Sequence, residues 1–183
     1  MRGKLSIYLP RFFVLKDITT TYMIQKIYIK RVNNSEGAIP KFINKGDWVD
    51  LYVSSSFGNR YYKAGEASVV PLGVAMRLPK GFEANVVSRS SSFKKFGFIQ
   101  VNSYGIIDNS YSGDNDEWKD PVFFLKDGYI SSGERICQFR VNLSQKATVW
   151  QKIKWLFTSG FKFVEVDTLG GEDRGGFGST GVK

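Results

Sequence analysis

Five segments of the chain carry residue types that can do chemistry. The first is Asn102-Ser-Tyr-Gly-Ile-Ile-Asp108-Asn-Ser-Tyr111-Ser-Gly113. A strand, a glycine turn and a return strand would make it a hairpin that presents an amide, a carboxylate and an aromatic ring. Asp108 follows two isoleucines, and a carboxylate at the edge of an apolar pocket can hold and deprotonate a water. The plainer role is a turn aspartate accepting backbone N–H bonds. The second segment, Ser88-Arg-Ser-Ser-Ser-Phe93, packs hydroxyls around an arginine at a strand-to-helix junction, a ready place for an anion. Simple capping by Ser90 or Ser91 would use the same residues. The third is the end of the chain, with five glycines between Gly170 and Gly178 together with Arg174, Phe177, Ser179 and Thr180. Such a segment forms no strand or helix alone, yet its N–H groups are free to converge on an anion. It reads as an arm closing over a phosphate-bearing ligand with Phe177 stacked on a base, or as a frayed tail. Gly133-Glu-Arg-Ile-Cys-Gln138 and Gly46-Asp-Trp-Val-Asp50-Leu complete the set. Each is weak alone, since Gly-Glu-Arg serves equally well as a hairpin turn.

Composition narrows the chemistry. The 183 residues include no histidine and a single cysteine, Cys137. Triads built on His are therefore impossible, a zinc site lacks its usual ligands, and no intrachain disulfide can form. Catalysis must run on carboxylates, hydroxyls, Lys, Arg, Tyr or an oxygen-bound metal such as Mg²⁺. The formal charge is +9, but residues 1–31 hold seven basic residues against Asp17 alone, so the main body is only mildly basic. A nucleic-acid groove is not required by that balance. The longest uncharged stretch, Phe96 to Ile107, is too short to span a bilayer, which takes roughly 20 residues.

The elements that must position these residues are mostly strands. The 15% aromatic content and many β-branched residues favour β structure. Alternation or short apolar runs predict strands at 24–31, 48–54, 67–70, 73–78, 82–88, 98–102, 122–125, 135–141 and 161–166. Many short strands at this spacing suggest a barrel or sandwich in one domain. Ser90–Phe96 reads as a short helix. Val149, Ile153, Leu156 and Phe157 share one helical face, so 148–159 reads as a second helix, with Gly160 as a C-cap. Residues 1–22, apolar and basic with Pro10-Arg11 in the middle, read as an appendage; the domain then spans 23–169 and the flexible arm 170–183.

Taken together and in order, the five segments resemble the five motifs of the homotrimeric deoxyuridine triphosphatases (dUTPases). The closest matches are Gly105-Ile-Ile-Asp-Asn-Ser-Tyr-Ser-Gly113, Ser132-Gly-Glu-Arg-Ile-Cys-Gln138 and Asp173-Arg-Gly-Gly-Phe-Gly-Ser-Thr-Gly181. The wording of Gly46-Asp-Trp-Val-Asp-Leu51, Gly113-Asp-Asn-Asp-Glu-Trp118 and Arg135-Ile-Cys-Gln-Phe-Arg140 is similar to the branch found in Gram-positive bacteria and their phages. The resemblance implies an all-β, jelly-roll-like barrel with one or two short helices, in a threefold trimer whose active sites draw on three chains. It implies hydrolysis of dUTP to dUMP and pyrophosphate with Mg²⁺, in the cytoplasm of a bacterial or phage-infected cell. Asp108 matches the base that activates water. Asn102, Gly105 and Ile107 would read the uracil edge, and Tyr111 would exclude a 2′-hydroxyl. Arg89, Ser90, Ser91 and Gln138 would hold phosphates, and Asp50 would touch Mg²⁺ through water. Arg174 would meet the γ-phosphate, and Phe177, Gly178 and Ser179 would close over the nucleotide. Ser88 stands where the family usually has Pro, and Trp48-Val49 where it usually has Gly-Tyr. The segment 148–163 is longer than the usual link to the arm and reads as a local packing insertion or as a partner surface. dCTP deaminases share the fold and an Arg-Ser-Ser segment, but the strand Asp120-Pro-Val-Phe-Phe-Leu125 lacks the glutamate that their chemistry resembles needing. A regulatory protein of the same fold, binding a protein partner through 1–22 or 148–163, is the remaining alternative.

Overall fold

The computed structural model describes residues 23–33, 35, 39–43 and 46–176. The expected appendage, residues 1–22, and the arm residues Phe177, Gly178 and Ser179 lie outside the described residues.

β1 (Met23–Arg31) alternates as its sequence predicts: Ile27 and Ile29 are fully buried while Lys26 faces solvent. It is the middle strand of a three-stranded sheet, parallel to β12 (Thr158–Glu165) and antiparallel to β5 (Val74–Arg77). A four-stranded sheet runs in the order β2 (Val49–Tyr52), β11 (Arg135–Leu143), β6 (Phe82–Ser88) and β8 (Gly105–Ile107). A third holds β4 (Ala67–Pro71), β9 (Lys119–Phe124) and β7 (Phe98–Gln100), and a short pair joins β3 (Arg60–Tyr62) to β10 (Gly128–Ile130). All these sheets contribute to one core, whose largest fully buried side chains are Trp118, Phe82, Phe96, Phe98, Phe124 and Phe139. The all-β reading is borne out. Among the described residues the hydrogen bonding divides into four sheets around that core instead of running unbroken around a barrel.

The first helix, α1 (Ser92–Phe96), starts two residues later than expected. Ser91 is its N-cap residue but makes no side-chain cap, and Ser92 Oγ instead donates to the Ile136 carbonyl at 2.6 Å. That bond locks α1 onto β11. The second, α2 (Val149–Leu156), opens with a capping box between Thr148 and Gln151, a device worth about 1 kcal/mol. Its periodicity was legible, but its direction was not. Val149, Trp150, Leu156 and Phe157 are all exposed, and only Trp155 turns inward, against Phe82 and Phe161. The reading of 148–163 as a packing insertion is met in part: Trp155, Phe161 and Phe163 pack against the core, while the outer face of α2 does not.

The expected hairpin at 102–113 is also corrected. β7 pairs with β9, whereas β8 pairs with β6, so the strands on either side of the turn belong to different sheets. A tight turn at Ser103, in the left-handed region at φ 52°, makes the crossing.

Candidate functional site

Asp108 follows β8, and three local contacts settle its chemistry. The Ser110 hydroxyl donates to Asp108 Oδ1 at 2.5 Å, and the Ser110 N–H donates to the same oxygen at 2.9 Å. Arg174 Nη1 reaches it at 3.3 Å. The Ser110 hydroxyl is the main reason that the Asp108 carboxyl sits below the ordinary carboxylate range, with its N–H and Arg174 adding to the effect against a partial burial penalty. Asp108 is thus an ionised acceptor at neutral pH, half-exposed and able to take a proton. The turn reading of the sequence is met, since Asp108 accepts the Ser110 N–H, and the same contacts leave a carboxylate of the kind the base reading needs. Asn109 fixes the segment beneath it: its Nδ2 donates to the carbonyls of Leu78 and Pro79 and its Oδ1 accepts the Gly81 N–H.

Tyr111 is half-buried and packs on the core, and its hydroxyl donates to the Glu117 carbonyl at 2.8 Å. Burial, with Asp116 and Glu117 nearby, pushes the phenol up, so it stays neutral and presents a ring face. Glu117 is buried too, and accepts the Gly73 N–H. Asn102 is exposed at the turn after β7, and Gly105 is buried opposite Val86, with Ile107 opposite Ala84.

The arm returns to this segment. Asp116, 1% exposed, accepts the N–H groups of Arg174 and Gly175 as well as that of Gly113. Asn115 donates from both its backbone and its side chain to the Asp173 carboxylate. Gly113 bridges to Gly171, and a Cβ at Gly113 would lie 2.2 Å from Asp173 Oδ1. The arm up to Gly176 is therefore held against the loop that follows Tyr111.

A second cluster lies elsewhere. Asp50 of β2 accepts from Arg89 Nε at 2.7 Å through one oxygen and from Arg135 Nη1 at 3.0 Å through the other. Gln138 is half-buried and opposite both Asp50 and Val87 in the ladder. Ser90 and Ser91 are exposed beside Arg89. The two clusters lie towards opposite ends of β6. Ile107 pairs with Ala84, which puts Asp108 beside the start of β6, whereas Arg89 follows its end. At roughly 3.3 Å per residue the strand separates them by about 20 Å, more than one triphosphate bridges.

Sequence reasoning missed Ser110, Asp116 and Gln100, and treated Arg135 only as part of a turn. Ser110 had a signal, a hydroxyl two residues after a candidate base. Asp116 had none that pointed to the arm, because beyond the neighbouring Gly113 N–H its partners are the backbone N–H groups of Arg174 and Gly175, 58 and 59 residues away. Among the described residues no three His, Cys, Asp or Glu side chains converge as a metal site.

No family model matches the chain. Curated relatives do. The SPbeta prophage-derived deoxyuridine 5'-triphosphate nucleotidohydrolase YosS of Bacillus subtilis (strain 168) is 46% identical over 158 residues, 86% of this chain and 99% of that protein. The deoxyuridine 5'-triphosphate nucleotidohydrolase of Orientia tsutsugamushi (strain Boryong) is 34% identical over 165 residues, again 86% of this chain and 99% of that one. Among solved structures, the dUTPase from Streptococcus mutans aligns with TM-score 0.58 at 23% identity, covering 66% of this chain and 98% of that one. A variant of the Staphylococcus bacteriophage 80alpha dUTPase with dUpNHpp aligns with TM-score 0.54 at 18% identity, over 85% of this chain and 98% of that one. At these identities the structural likeness speaks for the fold.

Proposed function

The chain belongs to the dUTPase family and is a dUTP diphosphatase, and from that premise we propose that Asp108 activates the water that attacks the α-phosphorus of dUTP. The observation that carries this assignment is the Ser110 bond that keeps Asp108 ionised beside Arg174. An ionised carboxylate takes the proton of an attacking water, and phosphoryl transfer otherwise needs positioning and charge neutralisation more than a reactive side chain. The α–β phosphoanhydride bond breaks, pyrophosphate leaves, and the water oxygen stays on dUMP.

In this reading Asn102 and the backbone at Gly105 and Ile107 meet the uracil edge. Tyr111, its hydroxyl already bound to Glu117, offers a ring face against the sugar where a 2′-hydroxyl has no room. Arg89, Ser90, Ser91 and Gln138 hold phosphates. Arg174 brings positive charge to the phosphate chain, and Phe177, Gly178 and Ser179 continue the arm over the nucleotide. The distance between the clusters supports a homotrimer, because the Arg89 cluster of one chain is too far from its own Asp108 to serve the same triphosphate. A neighbouring copy can supply it.

The donor set fits a Mg²⁺ carried by the substrate. Hard oxygen ligands are needed, yet both Asp50 oxygens are held by arginines and no carboxylate cage exists among the described residues. Phosphate oxygens and waters would make up the coordination, with Asp50 in contact only through water. Bound there, the ion neutralises charge on the triphosphate. Asp50 meanwhile sets the direction of the Arg89 guanidinium. No helix among the described residues is long and apolar enough to cross a membrane. We place the reaction in the bacterial or host cytoplasm, where its nucleotide is.

Pyrophosphate release measured across dUTP, UTP, dCTP and dTTP with Mg²⁺ tests the reading. Turnover of dUTP alone is expected, and a folded protein inert towards dUTP would sink it. Ser110→Ala tests the activation of the base. Losing the hydroxyl bond raises the Asp108 pKa, so the acidic limb of the kcat profile should move to higher pH with the plateau largely kept. An unmoved limb would show that the limb belongs to another group.

A further inference from the structure

Gln100 ends β7 and is 7% exposed, with no part in the chemistry described so far. Its Nε2 donates to two acceptors: the Val86 carbonyl at 3.2 Å and Asn102 Oδ1 at 2.8 Å. The first contact decides the orientation of both amides. A backbone carbonyl only accepts, so the Gln100 atom against it must be the NH₂ group. That group only donates, so the Asn102 atom against it must be the oxygen. Gln100 Oε1 is buried without a hydrogen-bond partner as it stands, and reversing the amide would bring that oxygen against the Val86 oxygen, setting two acceptors against each other and taking the Val86 carbonyl's bond to Gln100 away.

The same geometry leaves Asn102 Nδ2 as the outward end of the amide. It lies over Gly105, where a Cβ would come within 3.4 Å of Nδ2 and 3.3 Å of the Val86 side chain. The absence of a side chain at 105 keeps that donor open. The turn is pinned on both sides, by Ser103 N–H donating to the Gln100 carbonyl and by β8 pairing with Val86.

We propose that Gln100 is a positioning residue for pyrimidine specificity: by holding Asn102 Oδ1 inward it forces Asn102 to face the base as a hydrogen-bond donor. A donor there suits the O4 carbonyl of uracil and opposes the N4 amino group of cytosine, itself a donor. Discrimination then comes as much from the mismatch with cytosine as from the match with uracil. The proposal rests on the reading that Asn102 meets the base.

The test uses the intact enzyme and the ratio of kcat/KM for dUTP to that for dCTP. Gln100→Met frees Asn102 to rotate, and the ratio should fall roughly tenfold or more, chiefly through KM for dUTP. In an Asn102→Ala background the same change should add nothing to the ratio, because the effect travels through Asn102. An unchanged ratio in a folded Gln100→Met enzyme overturns the proposal. So does an equal loss on both substrates, or additivity with Asn102→Ala. If Gln100→Met does not fold, Asn102→Asp decides alone. It is exposed and isosteric, and replaces the outward donor with an acceptor, so the dUTP preference should collapse; a preserved preference overturns the proposal. Asn102→Ala with unaltered discrimination would instead defeat the underlying placement of Asn102, a distinguishable result.

Discussion

Asp108→Asn should lower kcat by roughly 10²–10⁴-fold, the span that a positioned general base supplies, while nucleotide affinity stays within a few-fold. The two effects separate because the amide keeps the size of the carboxylate and can still accept the Ser110 N–H, now at 2.9 Å from Oδ1. What it cannot do is take a proton from water. The base, Asn102 and the arm would still meet the ligand, so a non-hydrolysable dUTP analogue should bind. Isothermal titration beside a pyrophosphate-release assay makes the comparison. Retained turnover would remove Asp108 from its role. Lost binding together with lost turnover would mean that the charge of Asp108 is structural, through Arg174.

The second large effect concerns stability. Asp120 on β9 is fully buried opposite Val70, and neither of its oxygens has a hydrogen-bond partner. Burial pushes its carboxyl up to about 7 from an ordinary 3.8, and the nearby Cys137 thiol eases it only in part, without a bond of normal geometry. The folded chain therefore keeps a proton that the unfolded chain has already lost. Stability is highest below the unfolded value and declines as pH rises from about 4 to about 7, by roughly 4 kcal/mol in all. Asp120→Asn carries no titrating proton and should remove that decline. At pH 8 the variant should melt on the order of 10 °C higher than the parent, and near pH 4 the two should nearly coincide. Denaturation curves at both pH values, compared at equal protein concentration, decide it. A pH-independent difference between the two proteins would show that burial of Asp120 costs nothing electrostatic.

Much of this site could be read from the chain before its structure. The spacing of Asn102, Asp108 and Tyr111 marks a turn with an amide, a carboxylate and a ring, and each takes up such a place. Most strand positions follow from alternation, as at Ile27 and Ile29. Where the reading missed, the cause is long-range. β3 and β10 are three residues each, and each turns a single side chain inward, Tyr62 against Phe124 and Ile130 fully buried, while Tyr61 and Tyr129 lie tilted against each other outside with ring centroids 4.4 Å apart; one inward residue per strand is too short a pattern to read as alternation. The 102–113 segment shows a hairpin's local signals, but which sheet each arm joins is decided by β6 and β9. The helical period of α2 is real, yet period alone does not say whether the apolar face meets the core or solvent. Arg135 looked like turn filler because its partner, Asp50, is 85 residues away.

The contact at Gly113 has a consequence for how such a chain tolerates change. The place of its missing side chain is occupied by Asp173, 60 positions later. A side chain added there would be felt in the arm that lies against the loop. The substitutions that the arm accepts are thus constrained from outside the arm, and a variant library built on residues 170–183 alone would leave out the position that sets its seat.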